Sequence, residues 1–360
     1  MLASRMTKKE ALPIGCGNPT FVVAEMAWAH DGSIEKAMRI VDGAADAKAD
    51  AINLHLTKLL DYMVPFYGAG PGRVSGSRTT TEIYKYLEGI NLSFDAVAEL
   101  AAHAKARGLK VSVMCNDEAS AAFAGKSIHP DILMIHPSSV GDERLLRMIA
   151  AQGTPLVIYT GALKLGEIET AVQWATAEGN GALILQHGFQ SYPTPLSENR
   201  LRAIETLKRQ FGFPVAFADH TDGDDPMAMI VPLLAIAMGA DAVEKHITYD
   251  RAAKGEDYES SLDPAQFAVF VDRLRKAEST FGSASWRPLS DRELKYREVV
   301  RKRAVAARPI RAGTLLTRDL VAFKRCDRGL YPEELTGLLG SVSVAQDLDA
   351  NVPLERDLLK

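Results

Sequence analysis

Between about residues 20 and 282 the chain alternates short apolar runs with longer amphipathic stretches. The apolar runs are Phe21–Glu25, Ala51–Leu54, Lys110–Met114, Ile132–Ile135, Leu156–Tyr159, Ala182–Gln186, Pro214–Phe217 and Asp241–Glu244. Each is short enough to be a buried strand. In the first amphipathic stretch Ile34, Ala37, Met38, Val41 and Ala45 share one helical face, and Ser33 is placed to cap it. Further helices are expected near Phe94–Arg107, Asp142–Ala151, Leu165–Glu178, Ser197–Phe211, Pro226–Met238 and Pro264–Phe281. Strands alternating with helices imply right-handed βαβ units and a parallel sheet. Eight units suggest an α/β fold closed as a (β/α)8 TIM barrel. An open doubly wound sheet is the rival, but no GxGxxG loop follows the first run.

The periodicity changes after residue 282. Residues 283–296 read as a linker, and residues 297–360 as a small domain of short strands and turns. The stretch Tyr62–Thr80, rich in Gly, Pro and Ser, reads as a long loop that could cover a site.

Composition sharpens this in three ways. Lys+Arg 42 against Asp+Glu 46, a net charge of -4, argues against a nucleic-acid partner or a polybasic membrane surface. No apolar run reaches the length of a membrane span, and MLASRMTKKEALPIG lacks the apolar core of a secretory signal. Cys16, Cys115 and Cys326 are odd in number and form no CxxC pair, so a reducing, cytoplasmic setting is expected.

Active sites of such barrels lie at the C-terminal ends of the strands. The residues there are Glu25, Asn53 with His55, Asn116 with Asp117, His136, Thr160, His187 with Gln190, Asp219 with His220, and Glu244 with His246. Five of the chain's 8 histidines fall in this set, a concentration that points to an enzyme. His220 and His246 end consecutive strands and could share a metal, with Asp219, Glu25 or water completing the shell; Mn, Zn or Fe would suit such ligands. The structural alternative is that each ring bonds a neighbouring loop. Glu25 is a candidate general base or, equally, a salt-bridge partner of Lys245. Tyr192, in YPTP, lines a pocket or packs a turn. His30 precedes a turn and helix whose N–H groups could bind an anion. Cys115 is a weak nucleophile candidate, since no histidine is evidently its base.

The motifs FVVAEMAWAHDGSIEKAMRIVDGAADAKADA, QSYPTPLSENRLRAIETL, ADHTDGDDPMA and MGADAVEKHITYDRAAKGEDYESSLDP, in that order, resemble the sialic acid (N-acetylneuraminate) synthases, including spore-coat polysaccharide biosynthesis protein E. AVAARPIRAGTLLTRDLVAFKRCDRGLYP resembles their C-terminal antifreeze-like (SAF) domain. The resemblance implies a (β/α)8 synthase domain over 1–282 and a SAF domain over 297–360. It implies condensation of phosphoenolpyruvate with an N-acetyl amino sugar for polysaccharide biosynthesis, a transferase reaction. It also implies a divalent metal, Mn with Mg or Zn as alternatives, held by His220 and His246. Glu25, Tyr192, Asp257 and Arg325 then stand at family site positions, Arg325 reaching the barrel mouth of a partner in a domain-swapped homodimer.

The sequence departs from the family on one side of the pocket. Where the family has lysine, phenylalanine and glutamine after the second strand, this chain has Asn53, Leu54 and His55. Met134 and Pro137 replace a lysine and a serine, Tyr159 and Ala218 replace serines, and Gln190 replaces an asparagine. These changes remove the cations and hydroxyls that hold phosphoenolpyruvate, and His55 or His136 would compensate only in part. Three functions remain open at this point: a synthase of the family type, a metal-dependent aldolase- or isomerase-like sugar enzyme with another donor, and a non-catalytic sugar-binding protein.

Overall fold

The computed structural model describes residues 12–15, 17–65, 72–73, 79–80, 83–282 and 286–360. Cys16, the N-terminal basic segment up to residue 11, most of the expected loop over 62–80 and the start of the expected linker lie outside the described residues. The chain divides into two compact units, Met1–Gly282 and Ser283–Lys360.

The first unit is a closed barrel of eight parallel strands. They are β1 (Phe21–Glu25), β2 (Ala51–Leu56), β3 (Lys110–Cys115), β4 (Ile132–Ile135), β5 (Leu156–Tyr159), β6 (Leu183–His187), β7 (Val215–Asp219) and β8 (Ala242–His246). Each strand pairs with its neighbours in chain order, and β1 closes on β8 with Glu25 opposite His246. The rival open sheet is thereby excluded. One helix outside the barrel follows each strand: α1 (Ile34–Asp46), α2 (Phe94–Ala106), α3 (Glu118–Phe123), α4 (Glu143–Ala150), α5 (Leu165–Ala177), α6 (Ala203–Phe211), α7 (Val231–Ala237) and α8 (Pro264–Glu278).

Local chemistry explains most of the boundaries. Ser33 Oγ accepts the Lys36 N–H and starts α1. Asp117 does the same for α3 through the Ser120 N–H. The expected helices over 197–211 and 226–238 are shorter than their periodicity suggests. Each begins as a separate 3₁₀ turn, Leu196–Glu198 and Pro226–Met229, before the α-helix takes over. A short helix over Ile83–Ile90 is an addition to the expected elements. Ile40, Val41 and Ala44 of α1 are fully buried. A Cβ on Gly43 would lie 2.8 Å from Pro264 Cβ, so this glycine lets α1 approach the start of α8 closely.

The strands carry two separate cores, as period-2 alternation requires. Outward residues such as Val22, Ile52, Val113, Leu133, Ile158, Leu185, Phe217 and Val243 pack against the helices. Inward residues such as Phe21, Val23, Ile132, Met134, Val157, Ile184 and Ala216 fill the lumen. The lumen is therefore plugged below by mostly apolar side chains, and the titratable ones gather toward its C-terminal end.

The second unit pairs β9 (Lys302–Ala306) antiparallel with β10 (Val321–Arg325) over a small core of Ala304, Ile310, Leu316, Leu335 and Leu354. The expected linker is not extended throughout. Residues 291–300 form a helix, because Ser290 and Glu293 make a reciprocal capping box.

Candidate active site

The C-terminal ends of the strands surround a cavity of about 390 Å³. Its walls include Glu25, His55, His136, Tyr159, Gln190, Tyr192, His220, Glu244, His246 and Asp257. The lumen-facing alternation along β8 delivers Ala242, Glu244 and His246 inward while Val243 and Lys245 face the helices. On β7, Asp219 faces outward with Lys245. Both side chains are fully buried, and Lys245 Nζ donates to Asp219 Oδ2 at 2.7 Å. The other oxygen, Oδ1, accepts from the backbone N–H and hydroxyl of Thr221. Two sequence-based expectations fall on this pair. Asp219 does not join a metal shell, and Lys245 is the partner of Asp219 rather than of Glu25.

His220 and His246 come together, with ring centroids 5.1 Å apart. Tyr192 packs against both, at 4.3 Å from His220 and 5.5 Å from His246. The peptide between Tyr192 and Pro193 is cis. His220 Nδ1 donates to the Phe189 carbonyl at 2.7 Å, which directs Nε2 to the cavity side, where the Tyr159 hydroxyl lies 3.4 Å away. His246 Nδ1 is buried without a hydrogen-bond partner and 3.9 Å from Asp257 Oδ2. Burial lowers His220 to about 4 and His246 well below the ordinary value, so both rings are neutral. Two neutral imidazoles, one with its tautomer fixed by a carbonyl and the other with an unpaired nitrogen, fit a divalent metal. Among the described residues no cluster of three or more His, Cys, Asp or Glu offers a closed metal cage. The protein would thus supply two ligands and leave the remaining positions open to water or substrate.

Glu25, beside His246 in the barrel ladder, is the hub of a second set of contacts. Its Oε1 accepts the Ala27 N–H at 2.6 Å, and its Oε2 accepts Asn53 Nδ2 at 2.6 Å. His55 Nε2 lies 3.5 Å from Oε1. Burial raises Glu25 to about 7, against these hydrogen bonds. Glu244, two residues from His246, belongs to the strand-end set, yet its position alone suggests no role. Burial and then the charge of Glu25 raise it well above the usual carboxylate range. Its Oε1 accepts Gln186 Nε2 at 2.6 Å, and its carboxyl also meets that of Glu25. His55 and His136 are pushed down by burial to about 3 and about 4. His136 Nδ1 also bonds the Ser138 hydroxyl at 2.8 Å.

The other candidates separate by environment. Asn53 lies against Glu25 and Met134, behind the cavity wall rather than in it. Asn116 bonds Thr57, Thr160 bonds the Gln186 carbonyl, and His187 bonds the Asn199 carbonyl. His30 Nδ1 accepts the Gly32 N–H, so it shapes its own turn. Cys115 is free and fully buried, and burial pushes its thiol up, which removes it as a nucleophile. Arg325 sits exposed at the end of β10 in the second unit. Trp28, Met114 and Glu256 also line the cavity, and no sequence pattern marks them for it. Trp28 makes an edge contact to His55 at 4.9 Å, and Glu256 accepts a hydrogen bond from the Tyr86 hydroxyl.

A (β/α)8 barrel with this polar cap is followed by a small β domain, and both parts match known families. The NeuB family model matches residues 40–285, and a SAF domain matches residues 301–360. The chain belongs to the NeuB family. It is 31% identical to an uncharacterized protein of Methanocaldococcus jannaschii, covering 91% of this chain and 90% of that one. It is 28% identical to the N,N'-diacetyllegionaminic acid synthase of Legionella pneumophila, covering 95% of each. Among solved structures, a putative spore coat polysaccharide biosynthesis protein E from Chromobacterium violaceum superposes with a TM-score of 0.78 at 25% identity, over 94% of this chain and 99% of that one. Relatives of this kind support a sugar-condensing synthase role. No helix among the described residues is long and apolar enough to cross a membrane.

Proposed function

We propose that the chain forms a carbon–carbon bond at the aldehyde carbon of an open-chain N-acetyl amino sugar, in the cytoplasmic assembly of a polysaccharide or glycoconjugate. The observation that carries this reading is the neutral His220–His246 pair lining one cavity together with Glu25. A divalent metal, Mn by family precedent, would be held by the two histidines and would polarise a carbonyl oxygen. Tyr192 fixes both rings from one side and forms a wall for the sugar chain. Asp257 and Glu256, adjacent in the cavity wall, would accept sugar hydroxyls in this reading. Glu25, raised to about 7, can hold or release a proton near neutrality. Burial of these groups keeps bulk water from the reacting centre. A purely sugar-binding role would not call for a carboxyl tuned in this way.

The working unit in this reading is a domain-swapped homodimer, with Arg325 reaching the barrel mouth of the partner subunit. A guanidinium there would read a carbonyl or carboxylate with paired donors. The test is calorimetry with a panel of N-acetyl amino sugars, with and without Mn. Metal-dependent binding of at least one sugar, abolished by His220→Ala, is expected. Absence of metal-dependent binding across the panel overturns the reading.

A further inference from the structure

One helix of the barrel wall breaks the pattern of the others. From Pro226 to Ala240 no side chain is polar or charged, through the 3₁₀ turn and the whole of α7. Val231, Pro232 and Ala235 of this stretch are buried. Its other face leaves Ile230 43%, Leu234 46% and Met238 43% exposed. These residues follow one another at a helical turn's spacing and form a single apolar ridge. At their outward positions α1 shows Glu35 and Arg39, α2 shows Asp95 and Glu99, and α6 shows Glu205 and Arg209. A helix that is apolar all round is expected to be covered on both sides.

The ridge reads alike in both directions. Leu234 stands at its centre, with Ile230 one turn before it and Met238 one turn after. A two-fold axis at Leu234 therefore lays the ridge along a copy of itself, apolar against apolar throughout. Ala237, small and exposed beside the ridge, permits a close approach. Charge fixes the direction. The end of α7 nearest the barrel mouth carries Asp222, Asp224 and Asp225 against the guanidinium of Arg251. At the far end Lys208 and Arg209 are balanced by Asp241 and Glu205. An antiparallel copy sets the acidic end against this balanced one, whereas a parallel copy would set acid against acid. The same carboxylates disfavour an anionic lipid surface, and the apolar stretch holds no Lys or Arg to anchor it there.

One ridge is too small to hold two chains together, since a stable interface takes ~800 Å² from each partner. The flanking helices supply the rest. Glu205 and Arg209 are exposed on α6, and Val269, Asp272 and Arg273 on α8. Both signs of charge stand on each flank, so a second copy of this face can answer them. We infer that α7 is the centre of a homotypic interface and packs antiparallel against α7 of a second copy of this chain, across a two-fold axis at Leu234. The contact is built from the barrel unit alone. It is therefore distinct from the exchange of terminal domains in the function proposed above, and does not depend on it.

Opposite charges at one position test the axis. In the full-length protein, Leu234→Lys and Leu234→Glu should each weaken self-association about a hundredfold or more, because like charges then meet across the two-fold. Analytical ultracentrifugation at micromolar concentration should show the mass halved in each variant. An equimolar mixture of the two should recover the wild-type mass, since lysine then faces glutamate. Leu234 is half exposed, so the urea midpoint should stay near that of wild type; Met238→Lys, away from the axis, provides a second variant with a smaller loss. In a Cys16→Ser, Cys326→Ser background, Leu234→Cys should form a disulfide-linked pair under mild oxidation, whereas Glu99→Cys on α2 should not. Self-association as tight as wild type in both charged variants, no recovery of mass on mixing them, or cross-linking no greater at 234 than at 99 each overturns the inference. Failure of these tests leaves metal-dependent sugar binding untouched, so it is separable from failure of the proposed function.

Discussion

Replacing Lys245 by methionine should be among the most damaging single changes to the barrel, although the residue touches no part of the cavity. Lys245 and Asp219 are both fully buried, with 2.7 Å between Nζ and Oδ2, and Lys245 Nζ also donates to the Thr221 carbonyl at 3.3 Å. Methionine keeps the stem and its packing but leaves the Asp219 carboxylate without a counter-charge. Removing one member of a buried pair costs about 3–5 kcal/mol, a large share of the roughly 5–15 kcal/mol that holds a domain together. Asp219→Leu with Lys245→Met removes both charges and should be less destabilising than Lys245→Met alone, because nothing charged is stranded. The assay is urea unfolding of the three proteins followed by fluorescence of Trp28 and Trp174, both in the barrel unit. A Lys245→Met midpoint corresponding to less than about 1 kcal/mol of loss, or a double variant worse than the single one, would show that the pair is not the buried, mutually dependent unit described here.

His220→Ala and His246→Ala should each abolish Mn binding, measured by electron paramagnetic resonance, whereas Asp219→Asn should retain it. His30, buried and lowered to about 4 by burial, with Asp31 opposing and Lys36 adding, is neutral in the fold and titrates near 6.5 when unfolded. Its contribution is therefore fully present above pH 6.5 and is lost as pH falls toward 4, amounting to about 3 kcal/mol at most. His30→Gln should flatten the urea midpoint between pH 7 and pH 4.5 relative to wild type, and an unchanged slope would refute this. In the proposed dimer, Arg325→Ala and His220→Ala proteins should each be inactive alone yet regain activity when subunits are mixed and re-formed. Continued inactivity of mixed dimers would place Arg325 outside the site.

The barrel is legible in the sequence because each strand and helix announces itself locally. The Ser33 cap and the shared face of Ile34, Ala37 and Val41 are enough by themselves to place α1. The strand-end rule also finds much of the cavity wall: Glu25, His55, His136, Gln190, His220 and His246 all line it. Tyr192 and Asp257, which line it too, lie on loops beyond the strands and are marked only by the family motifs that contain them. What strand-end position does not reveal is which way a residue faces. Asp219 and Lys245 belong to the outer face, one step out of phase with His220 and His246, and Glu244 to the inner. Counting by twos along ADH and EKH separates them. The helix over 291–300 escapes a hydrophobic pattern for another reason: its capping box is present in the sequence, but its polar composition looks like linker. The hydrogen bonds of Asn116, Thr160 and His187 depend on loops brought close by closure, and no local pattern encodes them.

The separation of inner and outer faces along each strand has a consequence for how such a protein changes over time. At 53, 134 and 159 the side chains meet only other lumen groups, while the surface on which the helices rest is built by 52, 133 and 158. Substituting the first set rewrites the ligand chemistry and leaves the scaffold's own contacts in place. Substrate preference and foldability are in this sense inherited on different registers of the same strands, so a lineage can exchange one donor for another by a handful of point changes without first finding a new fold.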